Sequence, residues 1–186
     1  EGTWWGSLRN EVGEVRSEMI LISPYFVPGD RVVGQFGKMR KEGARIRILT
    51  NSLASNDVPS VHAGYRNYRE AMLREGVELY EMRPVLEPPE GERDKTKERF
   101  GSSGASLHAK TIVFDRRTVF VGSANLDPRS AHLNTELGIV VSSPELAQKI
   151  AGIFEAATGP KYSFRLVLQP APPSPGDPSG GPAADT

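Results

Sequence analysis

Two short stretches organise this sequence: residues 106–115 read SLHAKTIVFD, and residues 122–125 read GSAN. The β-branched and aromatic residues of 107–114 predict a strand. Residues 115–117 form a polar turn, and 118–121 are again rich in β-branched and aromatic side chains. The two runs together predict a β-hairpin.

Four polar side chains stand on this hairpin in pairs, two residues apart. His108 and Lys110 lie on one face of the predicted strand, because successive side chains of a strand point to opposite faces. Ser123 and Asn125 follow the second strand. If the strands are neighbours, the four groups converge and offer N–H and O–H donors with one positive charge, which suits a phosphate. Taken alone, His108 is better explained as an ordinary packed or surface residue.

The spacing of these residues resembles a known family pattern. HxKxxxxD at 108–115, followed by GSxN at 122–125, is similar to the HKD motif of the phospholipase D superfamily. NTE at 134–136 fits the position of that family's histidine-orienting acid. ISPYFVPG at 22–29 and ILTNSL at 48–53 resemble the bacterial cardiolipin synthase branch.

The resemblance covers about residues 19–154 and implies an α/β fold with one HKD half, a mixed β-sheet flanked by helices on both faces. The residue pattern also predicts alternating strands and helices, at 19–22, 30–42, 45–49, 60–75 and 77–82. This βαβαβ order implies parallel strands with right-handed crossovers.

The chain divides into one domain and a tail. We assign 1–168 to a phospholipase D-like domain, the second half of a two-motif protein by its resemblance, and 169–186 to a disordered tail rich in Pro and Gly. Residues 83–105 are predicted to form a long loop at the entrance to the catalytic strand, and 162–168 an edge strand. The chain does not begin with Met, so we expect it to lie within a longer protein.

The resemblance implies a function for each motif residue. His108, Lys110 and Glu136 are the predicted catalytic residues, with Glu136 orienting the His108 ring. Lys110, Ser123 and Asn125 would hold the non-bridging oxygens of the substrate phosphate.

Asp115 is predicted to be structural. It lies at the far end of the strand, beside Arg116 and Arg117. We expect it to cap the turn or to pair with a basic side chain, and the family resemblance implies a structural contribution as well.

The predicted chemistry needs a second histidine. Metal-independent cleavage of a phosphodiester uses one neutral histidine as nucleophile, which forms a phosphohistidine, and one protonated histidine for the leaving oxygen. His62 and His132 lack a lysine two residues later. A second HKD half, from the parent protein or from a homodimer mate, is therefore expected. In the first case family precedent makes His108 the general acid; in a homodimer one His108 attacks and the other protonates.

Three further residues are candidates for a pocket. Tyr25 and Phe26 follow the first strand, and ligands of open α/β sheets bind at the carboxyl ends of strands. They can line a substrate channel or cover the core, and both interpretations stay open. His62 can reach the same pocket as His108, but we favour a solvated histidine in the first turn of its helix.

Composition limits the functional classes. The 186 residues include 23 basic and 23 acidic side chains, so the formal charge is zero, which weighs against non-specific binding of nucleic acid. Without cysteine, neither a disulfide nor a thiolate metal site can form. We expect no metal and no cofactor.

The expected substrate is a phospholipid, and the expected reaction is phosphatidyl transfer or hydrolysis. A peripheral membrane surface is a possible partner, and resemblance places the protein at the cytoplasmic side of a bacterial inner membrane. Two alternatives stay open: a nuclease of the same superfamily, and a non-catalytic half that binds phosphate.

Overall fold

A computed structural model describes residues 4–56, 58–84 and 107–169. The helices in these ranges are α1 (Trp4–Val12), α2 (Gly29–Lys41), α3 (Pro59–Arg66), α4 (Arg69–Arg74), α5 (Pro128–His132) and α6 (Pro144–Ala157). The strands are β1 (Glu18–Ile22), β2 (Arg45–Asn51), β3 (Glu78–Met82), β4 (Thr111–Phe114), β5 (Thr118–Gly122), β6 (Gly138–Ser142) and β7 (Ser163–Arg165). No helix in the described part of the chain is long and apolar enough to cross a membrane.

The strands form one mixed sheet in the order β6-β5-β4-β1-β2-β3-β7. β1, β2 and β3 are parallel, as the βαβαβ pattern predicts. β4 pairs antiparallel with β1 and with β5, which confirms the predicted hairpin. β7 closes the other edge by antiparallel pairing with β3, so the predicted edge strand is confirmed in place although it is shorter.

Helices cover both faces of the sheet, as expected. On one face, Trp5 of α1, Phe36 of α2 and Met72 of α4 are buried in a common cluster with the sheet. On the other face, the small residues of α6 and the ring of Phe154 pack against a second set of strand residues. Successive residues of the central strands therefore pack alternately into one core or the other.

The strand that carries the histidine motif starts later than the sequence predicts. β4 begins at Thr111, opposite Ile22, and 107–110 continue without a strand partner on the β1 side. The reason is the end of β1: Ser23 donates its N–H to the Leu49 carbonyl, at 3.1 Å, and Pro24 has no N–H to continue a ladder. The motif segment thus projects past the end of its partner.

The helix predicted over 60–75 is two helices. A turn at 67–68 separates α3 from α4, with the Tyr68 N–H bonded to the Tyr65 carbonyl at 2.9 Å. The break allows both Tyr65 and Met72 to be fully buried. The predicted loop lies outside the described residues from 85 onward, and the predicted tail lies outside them from 170 onward.

Candidate active site

The candidate site lies where the segment before β4 meets the end of β5. The Gly122 N–H donates to the Lys110 carbonyl at 3.2 Å, so the two halves of the motif are hydrogen-bonded neighbours. A side chain at Gly122 would place its Cβ 2.7 Å from the Leu137 carbonyl oxygen, which is too close. Glycine therefore permits β6 to approach and brings Glu136 beside Ser123.

His108 is exposed in the segment 107–110, between buried Leu107 and half-buried Lys110. Its carbonyl accepts a 3.1 Å hydrogen bond from the Lys110 ammonium. The Lys110 side chain thus folds back along the segment that carries the histidine. An exposed imidazole next to an ammonium is accessible to an anionic substrate.

Lys110 is set in a partly apolar environment. Its side chain lines a small pocket with Trp4, Phe120 and Leu126. Burial lowers the pKa of Lys110, while the negative charges of Glu136 and Asp127 oppose that shift. The ammonium therefore lies within the field of two carboxylates.

Ser123 and Glu136 are joined directly. The Ser123 hydroxyl donates to one oxygen of the Glu136 carboxylate at 2.5 Å, and the Asn134 amide donates to the other at 3.2 Å. Burial acts to raise the pKa of Glu136. Hydrogen bonds from Ser123, Ser130 and Asn134 outweigh that effect, so the pKa lies below its ordinary value. Within the described residues no hydrogen bond links Glu136 to the His108 ring, so its orienting function stays a prediction.

Asn125 is held at the start of the turn that leads into α5. Its N–H donates to the Ser130 hydroxyl at 3.1 Å, and Asp127 caps the helix by accepting from the N–H groups of Arg129 and Ser130. The Asn125 Oδ1 atom is buried without a hydrogen-bond partner among the described residues. An acceptor in that state favours a donor brought by a ligand or by another chain segment.

Asp115 binds the backbone of a distant segment. Its carboxylate accepts from the N–H groups of Arg16, Ser17 and Glu18 at 3.0, 2.7 and 2.9 Å. Arg116 instead pairs with Glu18 at 2.7 Å, and among the described residues Asp115 forms no ion pair, so of its two expected functions the contacts fit capping. The carboxylate caps the chain entering β1 and thereby ties the hairpin turn to the start of the sheet.

The three pocket candidates have different environments. Phe26 is 1% exposed and packs on Tyr65 at 5.7 Å between ring centroids, so it belongs to the core rather than to a channel wall. Tyr25 is half-buried, and its carbonyl accepts from Ser23 Oγ.

The predicted solvated position of His62 is wrong. The residue is 5% exposed, and its Nε2 atom lies 2.7 Å from the Arg69 guanidinium. Arg69 also forms an ion pair with buried Glu81 at 2.7 Å. This cluster anchors α3 and α4 to β3, and no single-sequence signal links these three residues.

An exposed apolar surface flanks the site. Leu133, Leu137 and Ile139 are 78%, 79% and 60% exposed, and Val121 pairs with Ile139 across β5 and β6 at 40% exposure. We call these four residues the β6 patch. They adjoin Ser123 and Glu136 in sequence or in strand pairing, so the patch and the site lie at the same edge of the sheet.

Comparisons with known proteins add family context. A family model described as "Cardiolipin synthase, PLD-like domain" matches residues 8–158. Cardiolipin synthase C of Escherichia coli (strain K12) is 51% identical over 139 residues, which cover 75% of this chain and 29% of that protein. Cardiolipin synthase A of Pseudomonas aeruginosa (strain LESB58) is 30% identical over 144 residues, which cover 77% of this chain and 25% of that protein. The chain spans less than a third of the length of these curated relatives.

Solved structures show the same fold at low sequence identity. Nuc from Salmonella typhimurium, described as a phospholipase D family member, has a TM-score of 0.65 at 14% identity, covering 90% of this chain and 93% of that one. A phosphatidylserine synthase from Haemophilus influenzae Rd KW20 has a TM-score of 0.57 at 16% identity, covering 82% of this chain and 34% of that one. These structural similarities support the mixed-sheet architecture.

Proposed function

The chain belongs to the family of cardiolipin synthase phospholipase D-like domains, and from this premise we propose that it supplies one half of a phosphatidyltransferase site in which His108 reacts. The proposal rests on one observation: the chain at Ser123 lies beside the segment that holds both His108 and Lys110. The Lys110 carbonyl binds the Gly122 N–H at 3.2 Å, next to Ser123. A cation and hydrogen-bonding side chains beside an exposed imidazole suit a phosphodiester.

The substrate phosphate would bind between Lys110, Ser123 and Asn125. Lys110 supplies the positive charge, and its partly apolar surroundings strengthen that charge's effect on an anion. The Asn125 amide and the Ser123 hydroxyl supply polar contacts to the non-bridging oxygens. Entry of a phosphate would require Ser123 to share or exchange its bond with Glu136.

The proposed reaction proceeds in two displacements. In the first, a neutral histidine nitrogen forms a bond to phosphorus, the bond to the leaving alcohol oxygen breaks, and a protonated histidine gives its proton to that oxygen. In the second, the alcohol acceptor loses its proton to the now neutral histidine and attacks phosphorus, which breaks the phosphorus–nitrogen bond. Water in place of the alcohol would give hydrolysis.

A second HKD half would provide the other histidine. Neither remaining histidine in the sequence is followed by a lysine two residues later: His62 is buried at 5% exposure, and His132 is exposed at the end of α5. The β6 patch is the surface we assign to this partner, because it is apolar, exposed and adjacent to the site. The partner is either a second copy or another segment of the parent protein.

Transfer to a lipid alcohol is favoured over hydrolysis by family membership. The relative that is 51% identical over 139 residues is named a cardiolipin synthase, and cardiolipin synthesis joins a phosphatidyl group to an alcohol. We therefore propose phospholipids as donor and acceptor. The phospholipid would be reached from a peripheral position at a membrane surface.

The test is cardiolipin formation by the complete assembly on vesicles containing phosphatidylglycerol, in EDTA, with mass spectrometry of the lipids. We expect cardiolipin from the wild-type assembly, none from His108→Ala, and an unchanged yield from His132→Ala. Undiminished cardiolipin from His108→Ala would overturn the proposal. Cleavage of DNA without lipid turnover would favour the nuclease, and phosphate binding without any turnover would favour the non-catalytic half.

A further inference from the structure

The segment that carries His108 lacks a strand partner on one side. Leu107 to Lys110 lie past Thr111, the last β4 residue paired with β1. The neighbouring strand β2 is longer: it continues two residues past Leu49, the partner of Ile22, and ends at Asn51. The end of β2 therefore stands across the gap that β1 leaves.

Asn51 closes this gap with its side chain. Its amide oxygen accepts from the Leu107 N–H at 3.0 Å, and its amide nitrogen donates to the Leu107 carbonyl at 3.2 Å. Both backbone groups of one residue are thus bound by one amide, the pattern that an adjacent strand would otherwise provide. Among side chains, only Asn and Gln present a neutral donor and acceptor in this planar arrangement.

The bonded pair is fixed on both sides. Asn51 is 1% exposed and pairs with Met82 of β3, while Leu107 is 6% exposed within the core cluster below α6. Hydrogen bonds buried to this extent are costly to lose, because the freed groups have no water to bind. The next residue after this anchor is the exposed His108.

We propose that Asn51 is a positioning residue for His108: its amide fixes the backbone of Leu107 and thereby places the imidazole against the phosphate site. The Cα atoms of Leu107 and His108 are about 3.8 Å apart across a trans peptide, so a displacement of one moves the other. Misplacement of a reacting group by about 1 Å can lower a rate about 100-fold. The expected effect of Asn51 on turnover rests on the proposed function. Its expected effect on the position of the His108 ring rests on geometry alone.

The test compares Asn51→Ala and Asn51→Asp with a matched control, Ser163→Ala. Ser163 is also buried, at 2% exposure, and its hydroxyl donates to the Ala157 carbonyl at 2.7 Å. It lies on β7, away from the motif segment, so its loss lowers stability without moving His108. Asn51→Asp keeps the acceptor for the Leu107 N–H and loses the donor to the carbonyl, and it is the variant to use if Asn51→Ala does not fold.

The first readout is the ring spectrum of ¹⁵N-labelled histidine in the full chain, with His108→Ala to assign the signal. We expect the His108 ring signal to shift and broaden in both Asn51 variants and to stay in place in Ser163→Ala. The second readout is turnover of the complete assembly, where we expect kcat to fall at least about tenfold with KM little changed, and no change for Ser163→Ala.

The two readouts separate the possible failures. Unchanged His108 signals in the Asn51 variants would overturn the inference and leave Asn51 as a residue that only stabilises the fold. Loss of kcat no greater than in Ser163→Ala would overturn it as well. If the wild-type assembly turns over no phosphodiester, the proposed function fails, and the ring spectrum still decides whether Asn51 positions His108.

Discussion

The hydroxyl of Ser123 donates a 2.5 Å hydrogen bond to the carboxylate of Glu136, across the junction of β5 and β6. The same hydroxyl accepts from the Leu137 N–H at 3.0 Å. Ser123, a candidate phosphate-binding residue, and Glu136, the acidic residue of the motif, are therefore hydrogen-bonded to each other. The negative charge of Glu136, kept by a lowered pKa, also interacts electrostatically with the Lys110 ammonium.

Glu136→Gln should impair turnover more than stability. The substitution keeps an oxygen for the Ser123 hydroxyl but removes the charge that balances Lys110. We expect turnover to fall at least about tenfold, which corresponds to about 1.4 kcal/mol of activation barrier. The measurement is kcat in the complete assembly together with the thermal midpoint. Glu145→Gln, which removes an exposed carboxylate paired with Lys149 on α6, should leave kcat unchanged.

Lys110→Met should weaken phosphate binding. Methionine retains an apolar side chain beside Trp4 and Phe120 while removing the ammonium. We expect the dissociation constant for inorganic phosphate, followed by NMR of the chain, to rise at least about tenfold, because a charge-assisted hydrogen bond contributes about 1.5–3 kcal/mol. Lys149→Met, at an exposed position of α6, is the control. Equal phosphate affinity in both variants would show that Lys110 does not hold the anion.

Asp115→Asn should cost stability and leave the chemistry intact. The backbone φ of 50° at Asp115 is one that asparagine tolerates, so the substitution isolates the loss of the charge that the three N–H groups bind. We expect a loss of about 1–3 kcal/mol in the free energy of unfolding by urea at neutral pH. Full stability with lost turnover would contradict the structural assignment.

The contribution of Asp115 should also depend on pH. Burial acts to raise the pKa of Asp115, but hydrogen bonds from Glu18, Arg16 and Ser17 lower it below its ordinary 3.8. A lowered folded-state pKa means that the carboxylate stabilises the fold above about 3.8, and that this stability is lost as pH falls through the lower folded-state value. The stability difference between wild type and Asp115→Asn should therefore shrink at acidic pH.

His62 should make the fold sensitive to mild acid. Burial and the charge of Arg69 lower the pKa of His62 below its ordinary 6.5. A lowered folded-state pKa means that stability is complete above 6.5 and declines as pH falls from there towards the folded-state value. Urea unfolding of His62→Gln should show a weaker decline in this window than wild type. His132→Gln, at an exposed position, should retain the wild-type decline, and equal curves for all three proteins would count against this account.

Features set by local pattern were predictable from the sequence. The parallel order of β1, β2 and β3 followed from alternating helices and strands. The pairing of β4 with β5 followed from a short polar turn. In each case the residues concerned are close in the chain.

Features that depend on distant residues were not predictable. The amide of Asn51 meets Leu107, 56 positions later, because β1 ends early and leaves a gap. His62 is buried because Arg69 and Glu81 balance the polar cluster around it. On α6 the row that packs is Ala147, Ala151 and Phe154, whereas the larger apolar residues Leu146 and Ile153 are 36% and 40% exposed. Small residues allow that helix to approach the sheet closely, and periodicity alone does not distinguish the two rows.

The central claim is that His108 acts without a metal in a site completed by a second half. The direct measurement is hydrolysis of a chromogenic phosphodiester in EDTA by the complete assembly, beside His108→Ala. The account predicts turnover that resists EDTA and disappears with His108→Ala. For the chain alone, a rate that rises faster than linearly with protein concentration would identify a second copy as the other half. Turnover that persists in His108→Ala, or that EDTA abolishes, would contradict the account.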